Sequence, residues 1–218
     1  MKGLLRDNFY AAYANEKVYF IIMFLVGIVV AVVNPDMDVL IRNYMLICLI
    51  GFSFVALDSL GKDGTCRWEK YKLTVPVTRA NIVKSCYIGQ LIWIVMGILF
   101  SGMTAGLSIL LHGIMFDRNV DIALVFIIGT SISLFMGAVF FPLFYLCGDE
   151  RKEAVLVISI LSAIALAAGL VWLVNALFGP EMPVWQILMS AVAVLICAML
   201  TYGLSYVLTV GIFRKKEY

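Results

Sequence analysis

The chain reads as an all-α integral membrane protein with six transmembrane helices and both termini in the cytoplasm, and three observations predict this. Of its 218 residues, 63% are hydrophobic and only 14% charged, where soluble domains have roughly 45–50% and 25%. Six uncharged runs recur, at 18–33, 43–57, 85–112, 122–148, 154–180 and 182–213. Positive charge gathers between alternate runs. A bilayer core about 30 Å thick takes roughly 20 apolar residues per helix, so six crossings use nearly the whole length and leave no room for a soluble module. No strand-like alternation and no repeat of fixed period competes with this reading.

Each element follows in order. Leu5, Phe9 and Ala12 share one helical face, with Tyr13 beside them and Asp7 and Ala11 opposite, which predicts an N-terminal interfacial helix on the inner leaflet. No A-x-A-like site follows the first run, so a cleavable signal peptide is not expected. Spans are expected at about 18–33, 39–58, 84–112, 121–147, 154–178 and 184–213, in a single transmembrane domain covering 1–218. The first two runs are short, but Lys17 can snorkel at one end, and a start near Val39 places Arg42 inside the second helix. Asp58, followed by Ser59 and Gly61, marks an exit into the next loop. Pro142 predicts a kink in the fourth span, and Gly179, Pro180 and Pro183 predict a short outer-face or re-entrant element ahead of the sixth.

Orientation comes from charge. With the amino terminus inside, fourteen of the sixteen Lys and Arg residues are cytoplasmic and only Arg42 and Arg118 lie outside; the positive-inside rule selects that arrangement. Cys48, Cys86 and Cys197 then fall in spans, and Cys66 and Cys147 face the cytoplasm, so no structural disulfide is expected. The single histidine, His112, stands at the outer end of the third span and reads as an interface residue. There is no Cys-x-x-Cys pair, and a zinc site is hard to assemble.

The same inventory excludes function classes. The apolar runs contain no carboxylate, whereas intramembrane proteases and metal-dependent hydrolases need acids or paired ligands there. Ion-coupled carriers bury ionisable groups near the midplane, and here every charge lies at a run boundary or in a loop. Energy for transport is therefore expected from outside these helices.

Between the second and third runs lies DGTCRWEKYKLTVPVTR, residues 63–79. Trp68, Tyr71 and Val75 fall on one side of a helix, with charged residues around the rest. Gly61 and Gly64 free the chain before it, Pro76 stops it, and Thr78 caps the third span. A short amphipathic helix parallel to the membrane is expected. The pattern serves equally for a plain interfacial anchor through Trp, Tyr and Lys.

The run W-E-K-Y-K-L-T-V-P-V-T-R and its continuation to Tyr87 resemble the segment after the second span of ABC-2-type transporter permeases. Glu69, Lys70, Tyr71, Pro76, Val77, Arg79, Ile82, Val83 and Tyr87 match that pattern, and Leu73-Thr74-Val75 departs from it. A second stretch, Pro142 to Lys152, is similar to the cytoplasmic loop between spans four and five in the small six-span branch, with Leu146-Cys147 replacing a Lys-Phe pair. The pattern is similar to that of membrane subunits of phenol-soluble-modulin and antimicrobial-peptide exporters. The resemblance implies a dimer of this chain or of the chain and a paralogue, two separate ATPase subunits that supply ATP and Mg, and a coupling helix between spans two and three. It implies that Arg67, Trp68, Glu69, Lys70, Tyr71, Lys72, Pro76 and Arg79 contact the ATPase, and that Asp149, Glu150 and Arg151 make a smaller second contact. No enzymatic site and no cofactor are expected in this chain, and no nucleic acid among its partners. The implied location is a bacterial plasma membrane.

Small residues at helix-packing spacing occur as Gly102 and Gly106 in the third span, Gly129, Ser133 and Gly137 in the fourth, and Ala163, Ala167 and Gly169 in the fifth. The third and fourth stripes are expected to pack within the subunit and the fifth to serve a dimer. Tyr87, Trp93, Phe135 and Tyr202 are candidate pathway residues, suited to an amphipathic peptide or lipid-like cargo, with ordinary packing as the competing reading. An ATPase-independent carrier or channel and an accessory membrane subunit are the alternatives to an exporter.

Overall fold

A computed structural model describes residues 6, 10, 13, 17–32, 38–65, 79–112, 119–148, 151–178 and 183–215. Among them the chain forms six helices and no strand: α1 (Lys17–Val32), α2 (Asp38–Thr65), α3 (Arg79–His112), α4 (Asn119–Cys147), α5 (Lys152–Phe178) and α6 (Val184–Lys215). The last five are long and apolar enough to cross a membrane. α1 is apolar but has 16 residues, which reach about 24 Å at about 1.5 Å per residue, less than the hydrocarbon thickness. Arg6, Tyr10 and Tyr13, in the segment expected to lie along the interface, have helical backbone, and the Arg6 guanidinium sits 5.4 Å from the centre of the Tyr10 ring.

One expectation is corrected. The chain does not leave the helix at Ser59 and Gly61: α2 stays helical to Thr65, several residues beyond its apolar stretch Val39–Ser59. A glycine inside a helix costs only about 1 kcal/mol relative to alanine, which the well-packed body of α2 offsets. The sixth helix begins at Val184, where the span was expected: Pro183, whose carbonyl accepts the Gln186 and Ile187 amides, leads directly into the 32 residues of α6. Residues 179–182 of the element expected ahead of it lie outside the described residues. α3 begins at Arg79, directly after the expected cap Thr78.

Successive helices run in opposite directions. One face of the bundle, here the terminal face, thus carries the start of α1, the end of α2, the start of α3, the end of α4, the start of α5 and the end of α6. α4 is the centre, packed on α2, α3, α5 and α6. In its half nearer the terminal face, Phe140, Phe141, Phe144 and Tyr145 are buried with Tyr87, Val155 and Phe213 in one cluster. A second cluster joins α1, α2 and α3 through Phe52, Tyr44 and Trp93. Phe20 stacks on Trp93 at 5.2 Å and lies 5.3 Å from Phe52, and the Tyr44 hydroxyl donates to the Met23 carbonyl at 2.7 Å. These contacts hold the short α1 against the bundle.

Apolar contact between helices gains little over apolar contact with lipid, so close backbone approach matters in a membrane. It occurs where α3 crosses α2 at Gly97, where an added Cβ would lie 3.3 Å from both the Cys48 carbonyl oxygen and the Phe52 Cβ. On α4 it occurs at Gly129 against Leu49 and at Gly137 against the Gln90 amide. A methyl group at 137 has no free space until Gln90 moves. Gly137→Ala is expected to lower stability by about 1–3 kcal/mol, with the loss reduced in Gly137→Ala/Gln90→Ala, measured by thermal unfolding in mild detergent.

Candidate functional site

The terminal face is built from helix ends. α4 closes in an αL cap: Gly148 has φ +77° and its amide donates to the Phe144 carbonyl at 3.0 Å, a geometry glycine adopts without penalty. Four residues later α5 begins at Lys152. Its ammonium lies 2.7 Å from Asp58 Oδ1 and donates to the Asp58 carbonyl at 2.6 Å. The two side chains are only 13% and 23% exposed. Asp58 was expected to mark an exit into the loop; it is instead a ligand for the first residue of α5, with seven further helical residues beyond it. Lys84, Arg151, Glu153, Arg214 and Lys215, at helix ends of the same face, are exposed.

Beneath the face a polar layer crosses the bundle. Gln90 is 1% exposed. Its Nε2 donates to Ser53 Oγ at 3.0 Å and to the Ser133 carbonyl at 3.1 Å, and its Oε1 accepts from the Tyr202 hydroxyl at 3.1 Å. Tyr202 also lies 2.9 Å from the Tyr87 carbonyl. The Tyr87 hydroxyl sits 2.8 Å from Ser205 Oγ and 2.9 Å from Thr209 Oγ1, and Ser205 donates to the Ala138 carbonyl at 2.6 Å. Tyr87 also stacks on Phe141 at 4.1 Å. Four helices are joined in this layer, and no acid or base takes part in it. It has the chemistry of helix association rather than of proton transfer.

The opposite half is looser. Leu124, Ile128, Ser131, Ala167, Val171, Ser190, Ala191 and Val194 line an almost wholly apolar cleft of about 130 Å³ between α4, α5 and α6. Among the described residues no group of three His, Cys, Asp or Glu side chains is placed to hold a metal ion.

The expected contact residues Arg67, Trp68, Glu69, Lys70, Tyr71, Lys72 and Pro76, with Cys66 and Thr78, lie outside the described residues, as do Asp149 and Glu150. The residues that bracket them are placed: Thr65 ends α2, Arg79 opens α3, and Arg151 is exposed just before α5. Of the small residues in α5, Ala163 is fully buried inside the chain, Ala167 lines the cleft, and an added Cβ on Gly169 would meet nothing within 4 Å. In α3, Gly106 also faces open space and Gly102 approaches only Phe126, at 3.8 Å. The close crossing of α3 is at Gly97; Gly102 meets its own chain only through Phe126, and Gly106 makes no such approach. Tyr87, Trp93, Phe135 and Tyr202 are all buried in the core, in the packing role and not along an open path. Sequence reasoning passed over Gln90, although an amide deep in an apolar run signals a buried partner. It also passed over the pairing of Asp58 with Lys152, residues 94 positions apart, for which no local signal exists.

The Gly148 cap is expected to be sensitive to any side chain for conformational and not steric reasons, since an added Cβ there meets nothing within 4 Å. Gly148→Ala is expected to cost about 1 kcal/mol and Gly148→Asn less, read by thermal unfolding.

A family model described as ABC-2 family transporter protein matches residues 3–214. No curated protein and no solved structure gives a significant match.

Proposed function

The chain belongs to the ABC-2 transporter family, a family of transporter membrane subunits that work with an ABC ATPase, and on that premise we propose that this permease is the exporter subunit for an amphipathic peptide or lipid-like cargo. The single observation that carries the reading is the family match across nearly the whole chain. Export, and not uptake, is supported by the short connections expected on the outer side, which offer no platform for a binding protein. An apolar cargo is supported by the cleft between α4, α5 and α6, and by apolar runs without a carboxylate.

In this reading the terminal face is cytoplasmic and two copies of the chain assemble on two ATPase subunits. The segment 66–78 is the coupling element, with Trp68 and Tyr71 as anchors in a groove of the ATPase and Arg67, Glu69, Lys70 and Lys72 around them. Residues 149–151 make the second contact. A homodimer contact through the open side of α5 near Gly169 completes the assembly, a paralogous chain being the other candidate for the same position.

The membrane protein purified in gentle detergent is expected to carry an ATPase subunit and to stimulate its hydrolysis of ATP. Trp68→Ala and Tyr71→Asp are each expected to weaken that association by about 2 kcal/mol, roughly thirtyfold, and to abolish the stimulation, while the unfolding temperature of the permease stays unchanged. Recovery of the wild-type chain with no ATPase, or flux in liposomes from the chain alone, sinks the reading.

A further inference from the structure

The ion pair at the terminal face stands where two otherwise separate segments come together. α2 packs mainly on α3 and α5 mainly on α4, and the two pack very little on each other. Asp58 is followed by the helical tail that leads into segment 66–78, and Lys152 directly follows residues 149–151. Those two segments are the ones the proposed function assigns to the ATPase.

Lys152 is poorly placed for its own helix. A cation in the first turn opposes the helix macrodipole by about 0.3–1 kcal/mol, and Glu153, next to it, is the residue that suits that end. Lys152 instead holds Asp58 at two atoms, the carboxylate at 2.7 Å and the carbonyl at 2.6 Å. A two-point grip on one residue fixes direction as well as distance. The pair is also largely withdrawn from water, so solvent screens it less than a surface pair. On the amino-terminal side of Lys152, α4 ends in the αL cap at Gly148.

We propose that the Asp58–Lys152 pair is a strut that makes the α2 tail and the start of α5 move as one rigid body, so that displacement of the coupling segment by the ATPase reaches α5 and, through their packing, α4. This rests on the exporter reading for its driver, but the rigidity itself belongs to the permease alone. Asp58 and Lys152 are positioning residues. They deliver motion and need touch neither cargo nor nucleotide.

The test has two arms. In the first, spin labels at Thr65→Cys and Glu153→Cys, on a background without the five native cysteines, report the distance across the strut in the full-length permease in nanodiscs without ATPase. The distribution is expected to be narrow with the native pair, to broaden in Asp58→Asn and Lys152→Met, and to narrow again in Lys152→Arg. Asp58→Asn leaves the Lys152 charge without its carboxylate, so its unfolding temperature is expected to fall, whereas Lys152→Arg is expected to stay near the parent. An unchanged distribution in both Asp58→Asn and Lys152→Met overturns the strut whatever the permease partners with. In the second arm the complex with its copurifying ATPase is assayed for ATP hydrolysis. Asp58→Asn is expected to retain the ATPase subunit but lose roughly fivefold or more of the stimulation, and Lys152→Arg to keep it. Full stimulation in Asp58→Asn overturns the coupling role. If the wild-type chain retains no ATPase, the exporter reading and the coupling role fail together, and the first arm alone decides the strut.

Discussion

In a hydrocarbon slab an amide side chain has no water to turn to, and Gln90, 1% exposed within α3, takes its partners from three other helices: Ser53 in α2, the Ser133 carbonyl in α4 and the Tyr202 hydroxyl in α6. Leaving such a group unsatisfied costs several kcal/mol. The four helices are therefore held in one register. Other features follow from that constraint. Gly137 must lack a side chain because the Gln90 amide occupies its space. Ser133 serves twice, its carbonyl accepting from Gln90 and its hydroxyl reaching the Leu49 carbonyl at 3.0 Å. Tyr202 reaches the Tyr87 backbone as well as Gln90, and Tyr87 carries the layer on to Ser205 and Thr209.

This layer divides the bundle into unlike halves. Toward the terminal face the aromatic cluster of α4 packs between α3, α5 and α6, and Phe213 closes on Tyr145 at 4.9 Å. Away from it α5 and α6 turn most of their surface outward and leave the cleft against α4. Packing is therefore denser toward the terminal face, and stability is not uniform across a fold built this way.

Much of the architecture was legible in the chain. Uncharged runs mark the helices because a charge at the bilayer centre is expensive, and a start of the apolar stretch of α2 at Val39 follows from the ability of Arg42 to reach outward. Other features were not. Gly61 and Gly64 look like a helix stop, yet α2 runs through both to Thr65, because a propensity cost of about 1 kcal/mol per glycine yields to packing elsewhere along the helix. Gly102 and Gly106 have the spacing of a helix crossing and face open space or a distant ring, while the lone Gly97 makes the crossing. Spacing shows that two residues share a face; it does not say which neighbour the face meets. Ala163 illustrates the same point from the other side, a small residue offered for a second subunit and already enclosed by its own chain.

By itself the sequence determined that this is a membrane protein, the approximate limits of its five long apolar helices and of the shorter α1, and the family it belongs to, because these depend on composition along the chain and on local residue type. Only the tertiary structure decided that α4 is the hub, that Gln90 anchors the polar layer, and that Lys152 grips Asp58 across 94 residues. Those are pairings between helices, and in lipid, where every apolar face is equally content with its surroundings, the pairing is chosen by a few polar groups and close backbone contacts whose partners are distant in the chain.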